Sequence, residues 1–396
     1  MGERDNDGIP DYTAAYLDHI WLVYGFRCLI LVFWVAVLAL HLMLRRPLRM
    51  PTTPLAVSFI VFSIFLSSFV WTARTKRRRR TFQALACVIL AVAVVLMAIA
   101  FARYRAWRAQ EARIAKAGGE VYGNGTVVTF EGEQVSDASL ALLKHLPELK
   151  AVRVRDCKVT DAGLAHLHRL TGLEDLTLAG LDGVTDAGLE HLAGLPNLAS
   201  LDLLALEQLT EAGLRPLRAL PRLRSLYLVG PVITDQGVAH LVRLRHLETL
   251  HFSARLTAAG LARLRDLPKL RELDLSPVGE MTSDRLAQLG HLAQLDVLEL
   301  SYVHFSDDNL VHLKGLTNLR KLNLAGSWVT DAGLIHVAAL STLAELDLSG
   351  TKVTDAGLKH LRALRNLDVL GLADTAVTEA GAKSIEAAIP GLAVTR

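Results

Sequence analysis

The sequence predicts an α/β solenoid that is preceded by an all-α transmembrane region. A five-residue motif, Thr-Asp-Ala-Gly-Leu or a variant of it, recurs eleven times at intervals of 23 to 25 residues between Ser136 and Thr378. Ten of these motifs follow an alternating apolar segment, usually Leu-x-Leu, and four lead into an exact Leu-x-His-Leu-x-x-Leu segment. Three long apolar stretches lie ahead of the repeats. Self-similarity at a fixed period of this length is the signature of stacked structural repeats.

Composition and charge divide the chain of 396 residues into two unlike parts. The hydrophobic content of 51% excludes a disordered or collagen-like chain. Residues 1–120 carry 16 Lys and Arg against 7 Asp and Glu, whereas residues 121–396 carry 27 against 33. The first part therefore suits a membrane and the second suits a mildly acidic soluble domain. The three cysteines lie far apart and include no CxxC pair, so neither a disulfide framework nor a cysteine metal site is predicted.

The apolar stretches predict membrane-spanning helices, because about 20 apolar residues in a helix cross the hydrocarbon core of a bilayer. The three predicted transmembrane helices span about residues 20–44, 54–73 and 82–102. The middle stretch is the shortest, so both two and three spans remain open. The predicted domain order is an acidic N-terminal tail at 1–19, a membrane region at 20–103, a basic juxtamembrane helix or linker at 104–120, and a repeat domain at 121–396 with about eleven repeats and a C-terminal cap.

The flanking Lys and Arg residues bear on the orientation, because cytoplasmic loops are enriched in positive charge. With three spans, one side holds seven of these residues and the other holds eight, so the totals leave both orientations open. The densest cluster, Lys76–Arg80, directly precedes the third apolar stretch. It favours a cytoplasmic second loop and therefore a repeat domain outside the cytoplasm.

The repeat has a simple physical interpretation. The alternating Leu-x-Leu segment predicts a short strand with its leucines on one side, and the following segment predicts a helix with leucines on one face. One unit cannot bury both faces alone, so units stack and share a core. Thr or Ser at the start of the motif can cap the helix, and Asp in the first turn favours the positive end of the helix dipole. The Gly, present in eight of the eleven motifs, permits close approach between neighbouring coils.

The full pattern, L-x-x-L-x-L-x-x-T-x-V-T-D-A-G-L-x-H-L-x-x-L, recurs in register over about residues 126–394. It resembles the leucine-rich repeat family, in particular its bacterial membrane-anchored type. The resemblance implies a curved horseshoe with parallel strands on the concave side and helices on the convex side. It also implies an integral protein of a bacterial cytoplasmic membrane that binds a protein or peptide and performs no catalysis.

The exposed strand positions are free of core packing, so their variation between units predicts a ligand-binding face. The candidate residues on the concave face are Asp202, Tyr227, His251, Asp274, Glu299, Tyr302, Trp328 and Asp347. The four acidic members share one position of the repeat, and Tyr302 with Trp328 is predicted to form an aromatic pair. Aromatic anchors framed by charge are typical of binding hot spots. We expect a protein or peptide ligand with a basic patch, although acidic side chains can also serve solubility alone.

Other classes of site are disfavoured by the sequence. It contains no GxSxG, HExxH or GxxxxGK[ST] motif, so no catalytic residue and no cofactor are predicted. A histidine recurs at one position of the repeat, immediately before a leucine or valine, at His166, His191, His240, His312, His336 and His360. A row of this kind does not converge as zinc ligands must, so no metal site is predicted. Cys157 is expected to pack in the core.

Two further predictions concern partners. The net negative charge of the repeats disfavours nucleic acid, which requires Lys and Arg for its phosphates. The bilayer is the second predicted partner, and the oligomeric state remains open. As an alternative to ligand capture, the repeats could be the regulatory or scaffold domain of a multi-span membrane transport or signalling complex.

Overall fold

The computed structural model describes residues 105–396 except 124, 255 and 277–279, together with 91, 95, 98, 99, 101 and 102. The chain separates into two units, Met1–Ala100 and Phe101–Arg396. The predicted tail at 1–19, the first two predicted spans and most of the third lie outside the described residues. Within the described residues, no helix combines the length and the hydropathy that crossing a bilayer requires.

In the described part of the chain, thirteen strands form one sheet and neighbour one another in chain order. The strands are β1 Gly119–Tyr122, β2 Val127–Glu131, β3 Ala151–Arg155, β4 Asp175–Ala179, β5 Ser200–Leu204, β6 Ser225–Ile233, β7 Thr249–Ala254, β8 Glu272–Asp274, β9 Val297–Glu299, β10 Lys321–Asn323, β11 Glu345–Asp347, β12 Val369–Gly371 and β13 Ala393–Thr395. β1 and β2 are antiparallel, and each later strand pairs in parallel with its predecessor. This arrangement is the predicted α/β solenoid.

Short helices connect the strands. The α-helices are Asp137–Leu140, Asp161–Leu164, Asp186–Glu190, Asp235–Leu241, Ala258–Arg263, Ser283–Leu289, Leu334–Val337, Asp355–Leu361 and Glu379–Ala388. The 3₁₀-helices are Ala141–His145, Leu167–Arg169, His191–Gly194, Glu211–Ala219, Leu264–Asp266 and Asp307–Gly315. Most are shorter than two turns, so their stability comes from packing on the neighbouring coils and not from helix propensity.

The ten predicted Leu-x-Leu segments correspond to β3–β12. Two strands with parallel pairing were not predicted. β2, with Val128 and Phe130 on its inward side, precedes the first motif, and β13 follows the final motif. The later strands are shorter than the early ones for a local reason. In β8, β10 and β11 the last residue is Asp or Asn, and its side-chain oxygen accepts the backbone N–H two residues onward at 2.7–2.9 Å. A hydrogen bond of this kind closes an Asx-turn, which ends each of these strands.

The core is one continuous row of apolar side chains that runs from Ile114 to Leu392. The inward leucines of the strands and helices are almost fully buried. Cys157 is also buried, at 7% exposure, and its thiol donates to the Arg155 carbonyl oxygen at 2.9 Å. Burial raises the pKa of this thiol. The prediction of a packing role for Cys157 is therefore confirmed.

Residues 105–116, predicted as a basic juxtamembrane helix or linker, are helical and pack on the first coil of the solenoid. Ile114 is fully buried, and Gln110 Nε2 donates to the Leu142 carbonyl oxygen at 2.7 Å. Gly119 follows the helix at a point where a methyl group would lie 2.6 Å from Ile114 Cγ2. The segment is therefore an amino-terminal cap that covers the end of the repeat core.

Consecutive motifs are joined by their acidic residue. Asp137 Oδ1 accepts the backbone N–H of Thr160 at 2.8 Å, and Asp137 Oδ2 accepts the Thr160 hydroxyl at 2.8 Å. The same paired bonds recur in Asp161–Thr185, Asp186–Thr210, Glu211–Thr234, Asp235–Thr257, Asp307–Thr330, Asp331–Thr354 and Asp355–Thr378. We call this series the carboxylate ladder. The Thr hydroxyl in turn caps the helix that it precedes, as predicted.

The carboxylate ladder explains where glycine occurs in the motif. Each of the eight motif glycines faces the carboxylate of the preceding coil, and a Cβ at the glycine would overlap or crowd that carboxylate. The predicted close approach is thus confirmed, and its partner is the acidic residue. Where Ala258 and Ser283 replace the acid, the next motif carries Arg285 or Asn309 instead of Gly. The first motif has no preceding motif and carries Ser139.

Candidate functional site

The outward residues of the strands form a column across the middle of the exposed sheet face. In-register pairing places Arg153, Thr177, Asp202, Tyr227, His251, Asp274, Glu299, Asn323 and Asp347 in this central column. Their neighbours along each strand are buried apolar residues, mostly leucines, so alternation turns the column away from the core. Six of the eight predicted residues lie here: Asp202, Tyr227, His251, Asp274, Glu299 and Asp347. The predicted common position of the four acidic residues is confirmed.

Four side chains on β6–β8 form a compact group that we call the His251 cluster: Tyr227, His251, Glu272 and Asp274. The ring centroids of Tyr227 and His251 lie 4.1 Å apart with an interplanar angle of 34°. His251 Nε2 is 3.1 Å from Glu272 Oε1, and His251 Nδ1 is 3.2 Å from Asp274 Oδ2. Glu272 was not predicted, although its position two residues before Asp274 on the same strand places it on the same face.

The electrostatics of the His251 cluster favour a charged imidazolium between two carboxylates. Burial lowers the pKa of His251, but hydrogen bonds and charge interactions with Asp274 and Glu272 outweigh burial, so this pKa is raised. Burial raises the pKa of Asp274, but the contacts with His251 and the Ser276 backbone N–H outweigh it, and this pKa is lowered. Burial and the nearby Glu272 raise the pKa of the Tyr227 phenol.

These shifts predict a pH-dependent contribution of His251 to stability. Because the folded-state pKa of His251 is raised above an unfolded value of about 6.5, its contribution is fully present below that value and lost as pH rises through the folded-state pKa. We expect the His251→Gln variant to unfold at lower urea than the parent protein at pH 5.5, with a smaller gap at pH 9.

Circular dichroism of the full-length chain in urea measures this gap. The gap should no longer be larger at pH 5.5 when Glu272 and Asp274 are already replaced by Gln and Asn, because the imidazolium then has no carboxylate partners and burial alone lowers the pKa of His251. A gap that stays constant from pH 5.5 to pH 9 in the otherwise native chain would contradict the assignment.

The other carboxylates of the central column are also bonded within the protein. Asp202 accepts the Thr177 hydroxyl at 3.0 Å, and Asp347 accepts the Ser349 backbone N–H at 2.9 Å. Lys321 Nζ lies 3.3 Å from a Glu299 oxygen and 3.9 Å from a Glu345 oxygen. The described face on β5–β11 still has more negative than positive side chains. Its cations are His251 and Lys321, and its carboxylates are Asp202, Glu272, Asp274, Glu299, Glu345 and Asp347.

The predicted pairing of Tyr302 with Trp328 is replaced by another contact. Trp328 stacks on His304, with ring centroids 4.3 Å apart and an interplanar angle of 14°. The Tyr302 ring lies over Gly326, where a methyl group would be 2.6 Å from Tyr302 Cε1. Stacking joins equivalent positions of consecutive coils, which are 24 residues apart, and Tyr302 is equivalent to Gly326 and not to Trp328. Both predicted aromatics lie beyond the strand ends, outside the central column.

Tyr302 and Trp328 are nevertheless the large exposed aromatics nearest the acidic face. Their exposed fractions are 67% and 56%. Tyr302 has a φ of 57°, a left-handed conformation that a bulky residue adopts rarely, and its backbone N–H donates to the Ala325 carbonyl oxygen at 2.7 Å. The backbone of Tyr302 is therefore held by a hydrogen bond to the next coil, beyond the carboxyl end of β9.

The described residues contain no group of three or more His, Cys, Asp or Glu side chains arranged to hold a metal ion. In the recurrent histidine row, His312 Nε2 lies 2.8 Å from the Ser283 hydroxyl oxygen. In the His251 cluster the two ring nitrogens face different carboxylates, so the three groups do not converge on one point. The arrangement is suited to noncovalent recognition of charge.

The chain is similar to several proteins of known structure at low sequence identity. No curated protein matches the sequence. Among solved structures, the chain is similar to an internalin from Listeria monocytogenes, with 20% identity, a TM-score of 0.47, and coverage of 68% of this chain and 86% of that one. A leucine-rich repeat protein from Leptospira interrogans gives 16% identity, a TM-score of 0.42, and coverage of 68% and 75%.

A third solved structure is an octameric complex of Latrophilin 3, Unc5D and the leucine-rich repeats of FLRT2, with 17% identity, a TM-score of 0.46, and coverage of 68% and 83%. The family model described as a leucine-rich repeat region matches residues 138–393, which is more than half of the sequence. The chain therefore belongs to the leucine-rich repeat family.

Proposed function

We propose that this chain is a membrane-anchored leucine-rich repeat protein that binds a protein or peptide segment with a basic patch and performs no catalysis. The binding surface is the exposed face of the sheet on β5–β11, with Tyr302 and Trp328 at its edge. The observation that carries the proposal is the negative excess of the central column, which is half-buried and held in place by hydrogen bonds.

A rigid sheet of this kind favours recognition. The carboxylates are already ordered by Thr177, His251 and Ser349, so a ligand does not bear the entropy cost of fixing them. A Lys or Arg side chain of the ligand that lies over the column compensates its excess negative charge. Exposed aromatic rings supply apolar contact area at low entropy cost.

The anchoring is part of the proposal and rests on the apolar stretches at about 20–44, 54–73 and 82–102. The dense Lys76–Arg80 cluster supports a repeat domain outside the cytoplasm. Labelling of an Ile335→Cys variant by a membrane-impermeant maleimide in intact cells tests the orientation, because Ile335 is 54% exposed and lies on a helix. Labelling only after the membrane is permeabilised would place the repeats in the cytoplasm.

The binding face is tested with a defined probe. We expect a fluorescent decapeptide of alternating Arg and Gly to bind the full-length chain in detergent, as measured by fluorescence anisotropy. The double variant Asp274→Asn/Glu299→Gln should weaken this binding about ten-fold or more, because it removes two charges from the centre of the face. Raising the salt concentration should narrow the difference, since ions screen exposed charges.

The matched control removes the same number of negative charges from the helices of the repeats. Asp284 and Glu386 are exposed there, so Asp284→Asn/Glu386→Gln alters net charge equally but leaves the sheet face intact. Equal weakening by both double variants would mean that net charge alone attracts the peptide and would overturn the proposed face. A native partner can then be sought with a photo-crosslinking residue at Tyr302, with Ile335 as the control position.

A further inference from the structure

On β3, near the amino-terminal end of the exposed sheet face, the outward charged side chains are basic, unlike the acidic ones at the centre of the face. A shallow pocket of about 470 Å³ lies over β1–β3 and is lined by Tyr122, Val127, Thr129, Glu131, Arg153 and Arg155. Arg153 and Arg155 are two residues apart on β3, so both side chains extend from the same face of the strand. Both are exposed.

The neighbouring ionic groups are already paired with one another. Lys150 Nζ lies 2.6 Å from Glu174 Oε1, and Lys158 Nζ lies 3.2 Å from Glu133 Oε2. The Tyr122 hydroxyl donates to Glu120. Among the described residues, neither Arg153 nor Arg155 has a carboxylate within ion-pair distance, although Asp175 on β4 interacts electrostatically with Arg153. The two guanidinium groups are therefore available to an external acceptor.

The lining defines the chemistry of that acceptor. Two arginines and Glu131 give the pocket a net charge of +1, which matches one carboxylate better than a doubly charged phosphate. An arginine can hold a carboxylate through two parallel hydrogen bonds. Tyr122 and Val127 supply an apolar wall beside the charged groups. A carboxylate next to an apolar side chain fits this combination.

We propose that the pocket binds a carboxylate of the peptide ligand, adjoined by an apolar residue, while the basic patch of the same ligand lies on the His251 cluster. This inference rests on the proposed function. From β3 to β8 there are five strand spacings of about 4.8 Å, or about 24 Å, which an extended peptide covers in about seven residues. The face thus sets the direction of the ligand, with its acidic end over β3 and its basic end over β8.

The test uses full-length protein in detergent and three fluorescent peptides. The first carries Leu-Glu at one end and Arg-Lys-Arg at the other, separated by six Gly and Ser residues. The second replaces Glu by Gln, and the third shortens the spacer to one residue. We expect the first peptide to bind about ten-fold more tightly than the other two, because the second lacks the carboxylate and the third is too short to reach both charged regions.

The double variant Arg153→Gln/Arg155→Gln should remove the ten-fold advantage of the first peptide and leave the affinity of the Gln peptide unchanged. Arg215→Gln/Arg218→Gln is the matched control, because it removes the same charge and both arginines are exposed on a helix far along the sequence from the pocket. The charge-reversing variant Arg153→Glu should instead prefer a peptide with Lys in place of Glu.

The outcomes separate this inference from the proposed function. If the peptides bind and depend on Asp274 and Glu299, but all three have equal affinity, the pocket proposal is overturned while the proposed face stands. If the Arg153→Gln/Arg155→Gln variant weakens the Gln peptide as much as the first peptide, the arginines act through general charge and the pocket assignment fails. If no peptide binds, both proposals fail.

Discussion

Replacing Gly357 by Ala is expected to destabilise the repeat domain by about 2–4 kcal/mol, although Ala is the better helix former by about 1 kcal/mol. A methyl group at Gly357 would lie 2.9 Å from Asp331 Cγ and 3.0 Å from Asp331 Cα. The Asp331 carboxylate would have to move, and it would lose its hydrogen bonds from the Thr354 backbone N–H, now 2.8 Å long, and from the Thr354 hydroxyl, now 2.7 Å long. The loss of these bonds uncouples two consecutive coils.

Urea unfolding of the full-length chain, followed by circular dichroism, measures the effect. In an Asp331→Ala background the additional cost of Gly357→Ala should fall to less than about 1 kcal/mol, because the group that the methyl displaces is absent. Asn309→Ala is the matched control, since the preceding coil carries Ser283 in place of the acid. If Gly357→Ala is as mild as Asn309→Ala, the carboxylate ladder does not stabilise the stack.

The second large effect is expected for Ile114→Asp, which should destabilise the first coil by about 3–5 kcal/mol or prevent its folding. Ile114 is fully buried in the amino-terminal cap, where it lies near Gly119 and belongs to the same core as Phe130. A carboxylate at this point has no water and no cation, so either it is protonated or the helix detaches. Detachment would expose the end of the repeat core.

Limited proteolysis shows which part of the chain opens. New cleavage should begin between residues 116 and 136 in the Ile114→Asp variant, while the coils near Gly357 stay protected. Ala112→Asp introduces the same charge at an exposed position of the same helix and should leave the cleavage pattern unchanged. Wild-type proteolysis in both variants would mean that the helix is a linker and not a cap.

The sequence predicted the repeat with few errors because the repeat is defined by the spacing of residue types along short segments of the chain. Alternating apolar residues, mostly leucines, identified β3–β12, Thr at the motif start identified the helix caps, and the recurrence of Gly indicated a close approach between coils. Six of the eight predicted site residues share the central column, because equal positions in equal repeats must align when the strands pair in register. His251 and Tyr227 were placed beside one another by this rule alone.

The rest depended on contacts between coils. The sequence indicated that Asp in the motif favours a helix dipole, but the structure shows that it binds the Thr 22 to 24 residues later. Trp328 was assigned to Tyr302, its neighbour in the sequence pattern, whereas it stacks on His304, its equivalent in the preceding coil. The cap at 105–116 carries too few apolar residues to indicate a buried helix, and only its contact with the first coil shows the role of Ile114.

The sequence by itself therefore determined the kind of unit, the number of central strands and the column in which outward side chains lie, because each follows from periodicity within one chain segment. The tertiary structure decided which side chains are in contact: the carboxylate beside each motif glycine, the two acids that hold His251, and the arginines of β3, which form no ion pair with another described residue. Such contacts depend on distances between separate coils, and no local spacing encodes those distances.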